Sequence, residues 1–167
     1  SLTQTHRIMT DYHRWTATEA VSRLRTGDVT PLQLIHAAAE RIAAVDPFVN
    51  ALPTLCLDRA RDRARDLPRP VSGDAGHLHG LPIAIKDLTP VAGVRTTFGS
   101  SIFADHVPGA SDLMVDRLEQ RGASVVAKSN TPEFGAGAQT FNDVFGVTRN
   151  PWNTELTPGG SSGGAAV

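Results

Sequence analysis

Leu81-Pro82-Ile83-Ala84-Ile85-Lys86-Asp87 is a short apolar run that breaks off on two opposite charges. The run over 81–85 is too brief for a helix and predicts a buried strand. A second run, Ser124-Val125-Val126-Ala127-Lys128, has the same character and also ends on a lysine. Between them, Ser111 can cap a helix carrying Leu113, Met114, Val115 and Leu118, which Gly122 closes. Strand, helix, strand is the alternation of an α/β layer, and such layers build their sites at the strand ends.

Upstream the chain reads as helices. Thr16 and Glu19 have capping-box spacing, with Ala17, Ala20, Val21 and Leu24 on one face and Gly27 past the end. A second helix starts at Thr30, with Pro31 in its first position and Gln33 closing another box. Its buried stripe is Leu34, Ile35, Ala38, Ile42 and Val45, and Asp46-Pro47 should stop it. A third, over about 54–67, sets Leu55, Cys56, Ala60 and Ala64 against a face of Asp and Arg. Its alternating charges over 58–66 describe a salt-bridged solvent face rather than a nucleic-acid grip. Pro68, Pro70, Ser72-Gly73-Asp74 and Gly76 read as a linker, and from Thr131 onward Gly, Pro and Asn predict loops.

The charge inventory is lopsided inside a nearly neutral total. Lys plus Arg number 16 against 17 Asp plus Glu, for a net charge of −1. Only Lys86 and Lys128 are lysines; the other 14 cations are arginines. Arginine keeps its proton at any working pH, whereas a buried lysine can be driven neutral and act as a base. Two lysines surviving at two strand ends fit that chemistry, and codon bias fits the count equally well. A chain this close to neutral has no global field to attract nucleic acid or an anionic membrane. No run of about 18 apolar residues is present to span a bilayer. Cys56 stands alone, which excludes an internal disulfide, favours a reducing, cytoplasmic setting and reads as a small core residue.

The other conspicuous stretch is Pro158-Gly159-Gly160-Ser161-Ser162-Gly163-Gly164. Its glycines give close backbone approach and its serines two hydroxyls. Gly160-x-Ser162-x-Gly164 matches a nucleophile elbow, but Thr157-Pro158-Gly159 precedes it where a strand is needed. Residues 122–129 nearly match a phosphate-binding loop, yet Ala127 replaces its second glycine and Val125-Val126 read as strand. His77-x-His79 lacks further ligands and reads as loop. No metal or other cofactor is expected.

Taken together, three ordered motifs carry a family resemblance. His79-Gly80-Leu81-Pro82-Ile83-Ala84-Ile85-Lys86-Asp87 resembles the lysine motif of the amidase signature family. Lys128-Ser129-Asn130-Thr131-Pro132-Glu133-Phe134 resembles its next block. Asn150-Pro151 followed by residues 158–164 is similar to the start of the serine- and glycine-rich signature itself. The resemblance implies hydrolysis of a carboxamide by a Ser–cis-Ser–Lys triad without a cofactor. Lys86 would be the neutral base and Ser161, on a cis bond after Gly160, the middle serine. Ser162, Gly159 and Gly160 would support them, and Gly135 and Gly137 would line the acyl pocket. Lys128 receives no catalytic role, and an ion pair or hydrogen bond is expected of it.

The resemblance also implies the fold: N-terminal helices followed by the first part of a mixed β-sheet core covered by helices. The expected divisions are a polar leader or tag remnant over 1–10, a helical segment over 11–70 and the opening of the α/β core over 71–167. In family members the nucleophilic serine and the oxyanion-hole amides follow in a second Gly-Ser-rich turn, past residue 167. The 167 residues therefore read as an N-terminal fragment, inactive alone and exposing apolar sheet surface. The expected partner is a small-molecule amide, with homo-oligomers left open. The alternatives are an amidase subunit of a tRNA-dependent amidotransferase, the one case that brings in nucleic acid, and a non-catalytic module.

Overall fold

The computed structural model describes residues 12–67 and 74–167. The expected leader over 1–10 and the linker's residues 68–73 lie outside the described residues. The fold is mixed α/β. In chain order it comprises α1 (Ala17–Thr26), α2 (Pro31–Val49), β1 (Thr54–Leu55), α3 (Leu57–Arg65), β2 (Pro82–Lys86) and α4 (Leu113–Gln120). Then follow β3 (Ser124–Ser129), β4 (Phe141–Asn142), β5 (Gly146–Val147) and α5 (Gly163–Ala166).

The helix caps follow from local chemistry. Gln33 N donates to Thr30 Oγ1 at 3.2 Å and Thr30 N donates to Gln33 Oε1 at 2.8 Å, a complete capping box. At α1 the box is half closed: Glu19 N donates to Thr16 Oγ1, but the Glu19 carboxylate pairs with Arg23 at 2.9 Å instead. Gly27 ends α1 at φ 81°, the left-handed conformation that favours glycine. Contrary to expectation, α2 runs through Pro47 to Val49. The proline falls in the last turn, where Asp46 Oδ1 accepts from Ala51 N and Leu52 N at 2.7 and 3.0 Å. Asn50, at φ 52°, closes the helix with its N–H on Asp46 O.

Three further regions depart from the expected reading. Thr54 and Leu55 are strand, paired antiparallel with Lys128 and Ala127, so the third helix begins at Leu57. Sheet pairing with β3 outweighs the helical periodicity there. On α3, Arg61 and Arg65 pair with Asp58 and Asp62 on the solvent face as expected. Arg59 and Arg63 instead reach Glu119 of α4, which is buried. Asp112, not Ser111, caps α4 by accepting from Met114 N at 2.8 Å; Ser111 Oγ accepts from Ala92 N. Beyond Thr131, a two-rung hairpin of β4 and β5 interrupts the expected loops.

The main sheet has the order β1-β3-β2, with β2 parallel to β3. All six residues of β3 are buried. Val125 joins Ile85, Val91, Val94 and Val115 on one side, while Val126 and Ala127 join Ile35 and Ala60 on the other. A bulge between Ile83 and Ala84 leaves Val126 as the extra residue, so Ile85 faces Lys128 and Lys86 faces Ser129. The other edge of β2 has no strand partner among the described residues. An apolar groove of 480 Å³ lies beside it, lined by Trp15, Leu34, Ile42, Leu81 and Ile83 among others. Among the described residues no helix is long and apolar enough to cross a membrane.

Candidate active site

Lys86 is the last residue of β2, and its amine leaves the strand toward the glycine-rich loop. Lys86 Nζ lies 2.8 Å from Ser161 Oγ and 2.9 Å from Ser162 Oγ. As an ammonium it donates to both hydroxyls; as a neutral amine its lone pair can accept a hydroxyl proton instead. Partial burial holds the amine below its ordinary pKa, which favours the neutral form. The peptide bond between Gly160 and Ser161 is cis.

The loop carrying the serines is packed backbone against backbone. A Cβ on Gly160 would sit 3.0 Å from backbone atoms of Ala138 and Gln139, and one on Gly164 would run into Asn130 N and Ala51 O. Thr140 Oγ1 donates to Gly159 O at 2.9 Å and accepts from Gly163 N at 3.0 Å, spanning the loop from both sides. Gly164 N donates to Asn130 O, and Asn130 N donates to Ala51 O. Of the two glycines expected near the acyl pocket, Gly135 sits at φ 72° with Leu88 so close that a Cβ would come within 2.6 Å of it. Gly137 lines a cleft of 330 Å³ with Pro132, Ala138 and Gln139. Gly160 touches 138–139, so the stretch after Gly135 abuts the serine loop.

Lys128 and Asp87 form a second, fully buried arrangement. Lys128 Nζ donates to Thr89 O at 2.6 Å and Thr96 Oγ1 at 2.9 Å, and lies 3.6 Å from Asp87 Oδ1. Both the hydrogen bonds and the ion pair expected of Lys128 are therefore present. Burial lowers its pKa to about 8, against the opposing pull of the Asp87 carboxylate. Cys56 packs against the core, donates to Val125 O, and has its thiol pushed up to about 11 by burial, which makes it a poor nucleophile. His77 and His79 stack edge to face, and no group of three metal-ligating side chains occurs among the described residues.

Sequence reasoning passed over Thr140, Asn130 and Thr97. Thr140 and Asn130 serve backbone groups of segments distant in the chain and Thr97 serves the Asp87 carboxylate, roles with no spacing signature. The expected residues themselves converge: Lys86, Ser161 and Ser162 meet, and Gly159 and Gly160 hold the turn that presents them.

A strand-end lysine bridging two serine hydroxyls on a glycine-rich turn defines a serine–lysine site on an α/β scaffold. The amidase family model matches residues 33–167, and the chain belongs to that family. One relative is a glutamyl-tRNA(Gln) amidotransferase subunit from Roseiflexus sp. (strain RS-1), 42% identical over 160 residues, covering 95% of this chain and 33% of that protein. A bacterial aryl acylamidase of the amidase signature enzymes superposes with a TM-score of 0.82 at 29% identity, over 90% of this chain and 32% of that one. For 6-aminohexanoate cyclic dimer hydrolase the TM-score is 0.81 at 27% identity, over 90% and 30%. The chain spans about a third of the length of the relatives it matches.

Proposed function

We propose that these residues are the base-and-bridge portion of a carboxamide hydrolase. The observation that carries this reading is the 2.8 Å contact between Lys86 Nζ and Ser161 Oγ, with the amine held toward its neutral form. Neutral Lys86 takes the proton of Ser161, whose oxygen takes the proton of an attacking serine as that serine adds to the amide carbon. The proton then returns from Lys86 through Ser161 to the departing amine, and water cleaves the acyl-enzyme. Ser162 shares the Lys86 amine and keeps it directed at the turn. The attacking serine and the oxyanion donors belong, by the family resemblance, to a segment past residue 167, so the 167 residues alone should be inactive. The lone thiol Cys56 suits a cytoplasmic setting.

Lys86→Arg and Ser161→Ala in the enzyme carrying these residues test the reading. Arginine keeps the positive charge and cannot release its proton, so both variants should lose turnover of an aryl amide while remaining folded. Retained turnover in either variant overturns it. The 42% identity to a glutamyl-tRNA(Gln) amidotransferase component supports a second reading, in which the same site releases ammonia from glutamine within a multi-subunit complex. Co-purification with partner subunits and glutaminase activity distinguish it from a free-standing amidase.

A further inference from the structure

We propose that Lys128 is a positioning residue for Lys86, acting through the turn 86–89; the inference rests on the reading of Lys86 as the base. The turn is closed by its own hydrogen bond, Thr89 N to Lys86 O at 2.9 Å. Thr89 O, on the far side of the same peptide segment, accepts from Lys128 Nζ. The residue between the two lysines in this arrangement, Asp87, is fixed at every polar group. Its N–H donates to Ser129 O, its C=O accepts from Phe98 N, and its carboxylate accepts from Thr97 N and Thr97 Oγ1. The carboxylate also faces Lys128. Lys86 therefore departs from a backbone clamped to β3, to the 96–98 segment and to the Lys128 amine.

The donor count explains why this position holds a lysine in a chain whose other cations, Lys86 apart, are arginines. An ammonium has three N–H donors, and the socket presents a carbonyl, a hydroxyl and a carboxylate. The site is fully buried, and a guanidinium is wider and planar and carries five donors for these three acceptors. The amine is not within reach of Ser161 in the bonds it makes, so its contribution runs through where it holds Thr89 and Asp87. A loosened turn would leave Lys86 able to bind its serines in a spread of geometries, and misplacement on the scale of 1 Å can cost about a hundredfold in rate.

The experiment compares Lys128→Met, the double variant Lys128→Met/Asp87→Asn and Lys86→Arg in the enzyme carrying these residues, measuring kcat, KM and melting temperature. Lys128→Met should lower kcat about tenfold or more with KM within about twofold, the pattern of a group needed only for the chemical step. The double variant removes the buried unpaired carboxylate, so its melting temperature should recover while kcat stays low. Recovery of kcat together with melting temperature overturns the proposal, because the effect was then on folding alone. So does a Lys128→Met kcat within about twofold of the parent, or a raised KM at unchanged kcat. If Lys128→Met does not fold, Thr96→Val removes one of its acceptors isosterically and is judged by the same kcat and KM criteria. Turnover retained by Lys86→Arg defeats the base reading itself. An inactive Lys86→Arg beside an unimpaired Lys128→Met defeats only the positioning role.

Discussion

Titrating the protein that carries these residues from neutral pH to 11 should first stabilise it and then destabilise it. The buried Lys128 amine titrates at about 8 in the fold against an ordinary 10.5. That depression corresponds to about 3 kcal/mol. Below pH 8 both folded and unfolded chains hold the proton and the penalty is present in full. From 8 to 10.5 the folded amine is neutral while the unfolded one keeps its proton, so stability climbs. Cys56 works the other way. Its thiol is raised from 9.0 to about 11, so above pH 9 the unfolded chain ionises first and stability falls. By pH 11 that loss is also about 3 kcal/mol. The net profile is a gain of about 1.4 kcal/mol over the first pH unit, a level stretch and then a decline. Cys56→Ala should uncover the whole rise, and Lys128→Met should remove it apart from the smaller contribution of Lys86, which has the same sign. Urea denaturation midpoints at closely spaced pH and constant ionic strength measure the curve. A Cys56→Ala variant whose stability is flat or falling between pH 8 and 10.5 refutes the reasoning.

Three further outcomes are expected. Gly164→Ala drives a methyl group into the backbone of Asn130 and Ala51 and should cost about 1–3 kcal/mol in denaturation. Glu119→Ala strands Arg59 and Arg63 half-buried beneath α4 and should cost about 3 kcal/mol, whereas Asp62→Ala should stay within about 0.5 kcal/mol, since its ion pair is exposed. Thermal melts of the pair of variants make that comparison. Thr140→Val leaves Gly159 O and Gly163 N without their side-chain partner, and should lower stability by about 2 kcal/mol and reduce kcat in the same preparation.

What could be read from the residues was what residues decide among close neighbours. Thr30, Pro31 and Gln33 settle their helix start within a single turn, and Gly27 its stop, so both were legible. β1 was not, because Thr54 and Leu55 are strand only by virtue of β3, which lies some 70 positions away. The continuation of α2 through Pro47 depended on Asp46 capping the residues that follow. Ser111 was the expected cap of α4, but its hydroxyl accepts from Ala92 N and Asp112 caps the helix instead. The site splits in the same way. Lys86 and Ser161 are 75 positions apart, and their meeting was expected through the family motifs and the strand-end rule rather than through any local pattern. Asn130 and Thr140 work on main-chain atoms of remote loops, which leaves no trace in composition or periodicity.

The bulge at Val126 gives the two lysines a common fate. Every pairing downstream of it, Ala84 with Ala127, Ile85 with Lys128 and Lys86 with Ser129, takes its frame from that one inserted residue. A slip by a single position would turn every side chain of the slipped strand to the opposite face. It would pull Lys86 off its serines in the same movement that set Lys128 and Asp87 against the wrong neighbours. An alignment error at Lys86 is thereby also an error in the interior, where a stranded charge is heavily penalised. A chain with a misframed lysine would therefore also carry an unpaired buried charge and lose stability with its alignment.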